Sequence, residues 1–190
     1  FYFSFQSLCF LLKNHGLWAF DFNVSPISGG SIALYCAKNK RPPSIALEEK
    51  LKEEKATGLG SKSKWLEFAD GCIQHKKKLN DIVKPMASNG SKIIGYGASA
   101  RSSTLLNFCK IDHRHLICIA DGNPLKYGKF TAGTDIPIVP PDEAFAKKPD
   151  VVLLSGWNFK EEILPIIRDK YQFHGRVILP LPNDPQIIET

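Results

Sequence analysis

The most constraining stretch of this chain is Gly95-Tyr96-Gly97-Ala98-Ser99-Ala100, a G-x-G-x-x-A pattern. It stands between an apolar strand, Lys92-Ile93-Ile94-Gly95-Tyr96, and a helix that carries Leu105 and Leu106. A chain that turns on two glycines straight from strand to helix is committed to a βα unit. The first glycine allows the tight turn, the second lets backbone approach a pyrophosphate, and a small third residue lets helix and strand pack closely. The helix start then offers unpaired N–H groups and the positive end of its dipole to an anion. Ser99, Ser102, Ser103 and Thr104 add hydroxyl donors there, and Arg101 adds a fixed positive charge. About twenty residues on, Asp121 closes the next strand, where an acidic residue commonly accepts hydrogen bonds from a ribose. The pattern does not separate NAD(P) from a sugar nucleotide. Glycines needed only for a tight βα turn remain the plain alternative.

The segments that follow keep the same rhythm. Strands are expected at 115–120, at 136–139 with a kink at Pro137, at 150–154 and at 176–181, with helices at 142–147 and 159–171 between them. Strands alternating with helices argue a parallel sheet covered on both faces. The fold class is therefore α/β, a small Rossmann-like, mostly parallel sheet over 91–190. Two loops lie just beyond strand ends, where open α/β sheets bind ligands. One is the polar run from Asp121 to Lys129 with Asn123 and Lys126; the other is Ser155-Gly156-Trp157-Asn158. A tryptophan and an asparagine in such a loop can stack on and hydrogen-bond a flat ring, although ordinary turn chemistry explains both loops equally well.

The front of the chain has a different texture. Phe5, Leu8, Cys9 and Leu12 have helical spacing, and an alternating run with Trp18, Phe20, Phe22 and Val24 follows. A breaker-rich turn, Ser25 to Gly30, leads into a second alternating run over 31–37, which together read as an antiparallel strand pair. Some forty residues rarely build a core alone. With no initiator methionine, residues 1–40 are expected to be the tail of a larger upstream domain. A proline-bearing linker and two helices, 44–57 and 61–86, fill 41–90. In the second helix Trp65, Cys72, Leu79 and Met86 recur every seven residues, with Phe68, His75 and Ile82 three further on. That is an amphipathic stripe that packs on something. Pro85 is expected to end or kink the helix, and His75 to be a hydrogen-bonded packing histidine.

Charge and cysteine content narrow the class. The net charge of +6 is concentrated between Lys38 and Lys84, with twelve Lys/Arg against seven Asp/Glu. This reads as a solvated helix face, since neither interleaved aromatics nor a reader motif for nucleic acid accompanies it. The five cysteines contain no C-x-x-C, so neither a disulfide framework nor a structural zinc is expected, and no metal site is assigned. No apolar run approaches the ~20 residues that span a bilayer. The opening lacks the basic flank and cleavage site of a signal peptide. The expectation is a soluble, cytoplasmic protein that binds neither membrane nor nucleic acid.

The run from Gly95 through Ala98-Ser99-Ala100-Arg101 to Asn107 resembles the opening of the C-terminal domain of S-adenosylmethionine-dependent sugar C-methyltransferases. The blocks from Asp121-Gly122-Asn123-Pro124 to Gly128, from Gly133 to Pro141, and Trp157-Asn158-Phe159 resemble that family's next blocks in order. Tyr2-Phe3-Ser4 with Ser7-Leu8, and Gly29-Gly30-Ser31, are similar to the end of its methyltransferase domain. Ser28 departs from the histidine often found there, and Arg101 often corresponds to lysine, which keeps the charge but changes the geometry.

The resemblance implies a three-part enzyme of which this chain is the rear: a zinc-binding region and a methyl-donor domain in front, then a Rossmann-like domain holding a nucleoside diphosphate-sugar. It implies that a base removes a proton beside the sugar ketone, and that the stabilised enolate takes a methyl group from S-adenosylmethionine. The Glu-His pair tied to that proton chemistry would lie just before Tyr2. Neither zinc nor S-adenosylmethionine is expected to bind this portion alone, and no catalytic residue is assigned to it. Gly95, Tyr96, Gly97, Ala98, Ser99, Arg101, Ser102 and Ser103 are the expected phosphate-side residues. Asp121 and Asn123 are the candidates for ribose or base, with Lys126, Trp157 and Asn158 lining the cleft. The alternatives are an NAD(P)-dependent oxidoreductase domain and a non-catalytic module that docks a partner through the stripe from Trp65 to Met86.

Overall fold

The computed structural model describes residues 3–26 and 30–190; Phe1, Tyr2, Ile27, Ser28 and Gly29 lie outside the described residues, and with them part of the front resemblance. The chain divides into two compact units, residues 1–70 and 71–190, and the division falls within a helix.

In the first unit, helix α1 (Phe5–Asn14) starts on a capping box in which Ser4 and Ser7 each accept the other's backbone N–H. The orphan N–H groups of Phe5 and Gln6 donate to the Glu54 carboxylate at 2.7 and 2.9 Å. Glu54 belongs to α2 (Ile45–Ala56), so one helix supplies the charge that satisfies the other's N-terminus. Strands β1 (Trp18–Ser25) and β2 (Ser31–Ala37) pair antiparallel, with a bulge between Ala19 and Asp21. Among the described residues of this unit only Phe5 and Leu47 are buried.

The second unit holds a six-stranded sheet. Its strands are β3 (Ile93–Tyr96), β4 (Cys118–Ala120), β5 (Ile138–Val139), β6 (Val151–Leu153), β7 (Arg176–Leu179) and β8 (Gln186–Glu189). They lie in the order β5-β4-β3-β6-β7-β8, all parallel except β8, which returns antiparallel on β7. The expected α/β class and mostly parallel sheet are what is found.

Strand parity divides the core. Ile93, Ile119, Val151, Leu153 and Ile178 point to one face, covered by α4 (Ala100–Cys109) and by Leu79 and Val83 of α3 (Lys62–Ser88). Ile94, Cys118, Ala120, Val152, Leu154 and Val177 point to the other, under α5 (Pro141–Ala146) and α6 (Lys160–Pro165). The faces alternate because successive strand residues point oppositely. Burial pushes the Cys109 and Cys118 thiols up to about 11, and all five cysteines are free.

Several elements depart from the sequence expectation. α3 runs through Pro85 to Ser88: the proline forfeits only its own N–H bond, and the turn beyond it is closed by Asn89 N–H on Pro85 O at 2.9 Å and Ser91 N–H on Met86 O at 3.1 Å. The helix expected over 159–171 is a 3-10 turn, α6 and a π turn (Ile166–Lys170) in succession. The third strand is confined to Ile138–Val139, and β8 has no counterpart among the expected strands. His75 makes no hydrogen bond through its buried Nε2, and burial lowers its pKa, which favours the neutral ring.

The turns after β3 and β6 meet at the middle of the sheet. Gly97 has φ +101°, and a Cβ there would stand 2.9 Å from both Cα and N of Gly156. Gly156 N–H donates to Tyr96 O at 2.8 Å, and the fully buried Ser155 hydroxyl donates to Tyr96 O at 3.0 Å and to Gly97 O at 2.8 Å. Gly95 is needed for a different reason. A Cβ on it would lie 2.8 Å from Ile119 Cγ1 and 3.2 Å from Leu116 Cδ2. It is small so that the α4-side core closes over the strand, not to make a turn.

These contacts set the expected stability of two variants and their two controls. Leu79→Ala should cost about 2–5 kcal/mol in guanidinium unfolding, whereas Leu66→Ala on the exposed half of α3 should stay within about 0.5 kcal/mol. Gly97→Ala should cost about 1–3 kcal/mol through backbone strain and collision with Gly156. Gly122→Ala, where a Cβ meets open space, should be close to neutral in the same assay.

Candidate functional site

The strand order reverses between β3 and β6. The chain leaves β3 through α4 toward β4 on one side, and reaches β6 from β5 through α5 on the other. Where two connections diverge from adjacent strands, their carboxyl ends open into a crevice, the usual ligand position in open α/β sheets. A cleft of about 430 Å³ lies there, walled by the turn from Tyr96 to Arg101, by Asp121, Gly122 and Lys126, and by residues 155–159 with Glu162 and Ile163.

At its floor, α4 begins with a capping box. Ser99 Oγ accepts the Ser102 N–H at 3.1 Å, and Ser102 Oγ accepts the Ser99 N–H at 2.7 Å. The Ser102 hydroxyl also donates to Ser99 O at 2.7 Å. That leaves the N–H groups of Ala100 and Arg101 as the unspent donors of the first turn among the described residues. The Arg101 guanidinium is exposed on the same turn.

The loop after β4 is fastened to that turn. Asp121 Oδ2 accepts the Ala98 N–H at 2.7 Å and the Lys126 ammonium at 3.0 Å, and its Oδ1 accepts the Asn123 N–H at 2.9 Å. Lys126 Nζ also donates to Ala98 O at 2.8 Å. Asn123 accepts the Leu125 N–H at 3.0 Å and so caps the 3-10 turn Pro124–Lys126. Tyr96 closes one wall; burial raises its pKa, so its phenol stays neutral across the physiological range.

Of the residues singled out in the sequence, Tyr96, Gly97, Ser99, Arg101, Asp121, Lys126, Trp157 and Asn158 line the cleft together. Gly95, Ala98, Ser102, Ser103 and Asn123 are not in its lining. Gly95 packs under α4, and Ser102 is fully buried in its capping box. Asn123 is spent on its own turn, and the backbone of Ala98 is held by Asp121 and Lys126. Ser103 is half-buried on α4, its N–H donating to Ser99 O. Ser155, Phe159 and Glu162 also line the cleft; Ser155 enters the sequence reading only within the loop 155–158 and Phe159 only within a family block, and none of the three is among the expected site residues. Their signal is position alone, since all three sit in or just after a βα turn at the switch point. Among the described residues no group of three His, Cys, Asp or Glu side chains could hold a metal ion, and no helix is long and apolar enough to cross a membrane.

Comparison with known proteins fits this architecture. The model of a family described as the C-methyltransferase C-terminal domain matches residues 26–182. The C-methyltransferase NovU of Streptomyces niveus is 33% identical over 191 residues, which cover 100% of this chain and 45% of the relative. The chain thus spans a little under half the length of the curated relative it matches. With a matched region that includes the whole switch-point cleft, the chain belongs to the C-methyltransferase C-terminal domain family.

Proposed function

We propose that this chain is the C-terminal portion of a C-methyltransferase of the cytoplasm, and that its switch-point cleft binds and orients a nucleotide-linked ketosugar for methylation. The observation that carries the reading is the floor of the cleft. Arg101 and Lys126 line a nucleotide-sized crevice at the start of a helix whose Ala100 and Arg101 N–H groups are unspent. Such donors suit the oxygens of a diphosphate. Trp157, Asn158 and Phe159, also in the lining, supply aromatic surface and an amide for a base or sugar.

In this reading the methyl group is supplied by S-adenosylmethionine. Arg101, Lys126 and the unspent N–H groups suit an anion better than a sulfonium cation, which supports placing the methyl donor elsewhere in the enzyme. The chain's own contribution is therefore positional. Holding the nucleotide end of the substrate fixes where the sugar carbon stands, and remote binding energy of this kind speeds a reaction by orientation. Residues 1–40, with little core of their own, read as the edge of the donor-binding domain, 41–90 as the helical connection and 91–190 as the substrate-holding domain.

Thermal unfolding in the presence of dTDP, UDP, NADH and S-adenosylmethionine checks the reading. A pyrimidine diphosphate at a hundred times its Kd should stabilise by roughly 2.7 kcal/mol, on the order of 5–10 °C at this size. Stabilisation by NADH without any by the diphosphates would replace this reading with an oxidoreductase domain. Arg101→Ala should leave the unliganded Tm in place and weaken diphosphate binding by about tenfold; an unchanged Kd would remove Arg101 from the site.

A further inference from the structure

We infer that Asp121, which stands where a ribose-binding acid is expected, is instead a positioning residue. Together with Lys126 it fixes the backbone of Ala98, and so aims the start of α4 into the cleft. The ligand part of this inference rests on the nucleotide reading above; the backbone part does not.

The hydrogen bonds leave Asp121 little else to do. It is only 8% exposed, and three donors already converge on its two oxygens: Ala98 N–H and Lys126 Nζ on Oδ2, and Asn123 N–H on Oδ1. A carboxylate offers about four acceptor sites; three are taken here, which leaves one where a pair of ribose hydroxyls needs two. The same ammonium that neutralises the carboxylate also donates to Ala98 O. Both backbone polar groups of Ala98 are therefore held by one ion pair.

Ala98 is the residue at which such a grip has most effect. It follows Gly97, whose positive φ is fixed from the other side by Ser155, and it precedes Ser99, the N-cap of α4. With Ala98 fixed, the free N–H groups of Ala100 and Arg101 keep their aim before any ligand arrives, which lowers the ordering cost of binding. Lys126, with 35% of its side chain exposed, has spent two of its three protons on Ala98 and Asp121 and has one left for a phosphate oxygen. A cleft built this way reads the diphosphate and ignores the ribose 2′-hydroxyl.

The test compares UDP with 2′-deoxyuridine diphosphate, which differ only in that hydroxyl, and follows backbone amide exchange across residues 97–101. The wild-type chain should bind both within about twofold. Asp121→Asn removes the charge that holds Lys126 and sets an NH2 against at least one of the three donors, so it should weaken both by about tenfold or more and speed exchange at Ala98. Lys126→Met should do the same in kind, and it serves if Asp121→Asn fails to fold.

A several-fold preference of the wild type for UDP, lost in Asp121→Asn but kept in Lys126→Met, would overturn the inference and return Asp121 to the ribose. If neither nucleotide binds, the nucleotide reading fails by itself, and amide exchange still decides the backbone role. Faster exchange at Ala98 in the two variants upholds it, and unchanged exchange overturns it.

Discussion

The contact between the turns after β3 and β6 is what the rest of the second unit is arranged around. Two backbones approach so closely at Gly97 and Gly156 that a single Cβ on Gly97 would collide. A buried serine hydroxyl and a half-buried ion pair hold the β3 turn from its two sides. A turn held this way cannot drift with the loops around it. The first turn of α4, whose body is held on the sheet by Leu105, Leu106 and Cys109, inherits that stillness. Preorganised N–H groups are worth more to an anion than mobile ones, because nothing has to be ordered when the ligand arrives.

The sheet below gives the turns a rigid base. Its central strands are buried on both faces, so every residue from 93 to 96 answers to one core or the other. Gly95 shows how tight the arrangement is: even within the strand, a methyl group would meet the side chain of Ile119. The first unit is different in kind. A two-stranded sheet and the helices α1 and α2, with two buried side chains among the described residues, are joined by polar contacts, the Glu54 carboxylate on α1 and the Asp21 carboxylate on Ser44 among them, and by ring contacts such as Phe5 on Phe22. Chains of this size seldom carry enough apolar burial to stand without help.

Much of this is readable from the residues. Glycine spacing between an apolar strand and a helix announces the βα turn, and the alternation of segments announces the parallel sheet. The apolar repeat over Leu79, Ile82 and Met86 announces the packed half of α3. Where the sequence falls short, the cause is tertiary. Hydroxyl count at the start of α4 suggests a cluster of donors for a ligand, but Ser99 and Ser102 satisfy each other and the helix end. No local pattern says whether a serine caps a helix or faces a cleft. Glu162 carries no signal, and the hold of Ser155 on the β3 turn is hidden, without knowing which two turns are neighbours, and that follows from strand order. Gly95 is hidden for the same reason: its neighbour Ile119 is twenty-four positions away in sequence and adjacent only across the sheet.

The asymmetry between the two touching glycines has a consequence for how such a cleft can change over time. A Cβ on Gly97 has nowhere to go, whereas one on Gly156 would meet neighbours only at 3.4 Å and beyond, ordinary contact distances. One wall is therefore closed to variation and the other is open to it. A lineage can exchange residues along 156–159, and with them what the cleft accepts, while the turn that aims α4 stays as it is. New specificity then arises by editing one wall, with the scaffold that makes binding possible left intact.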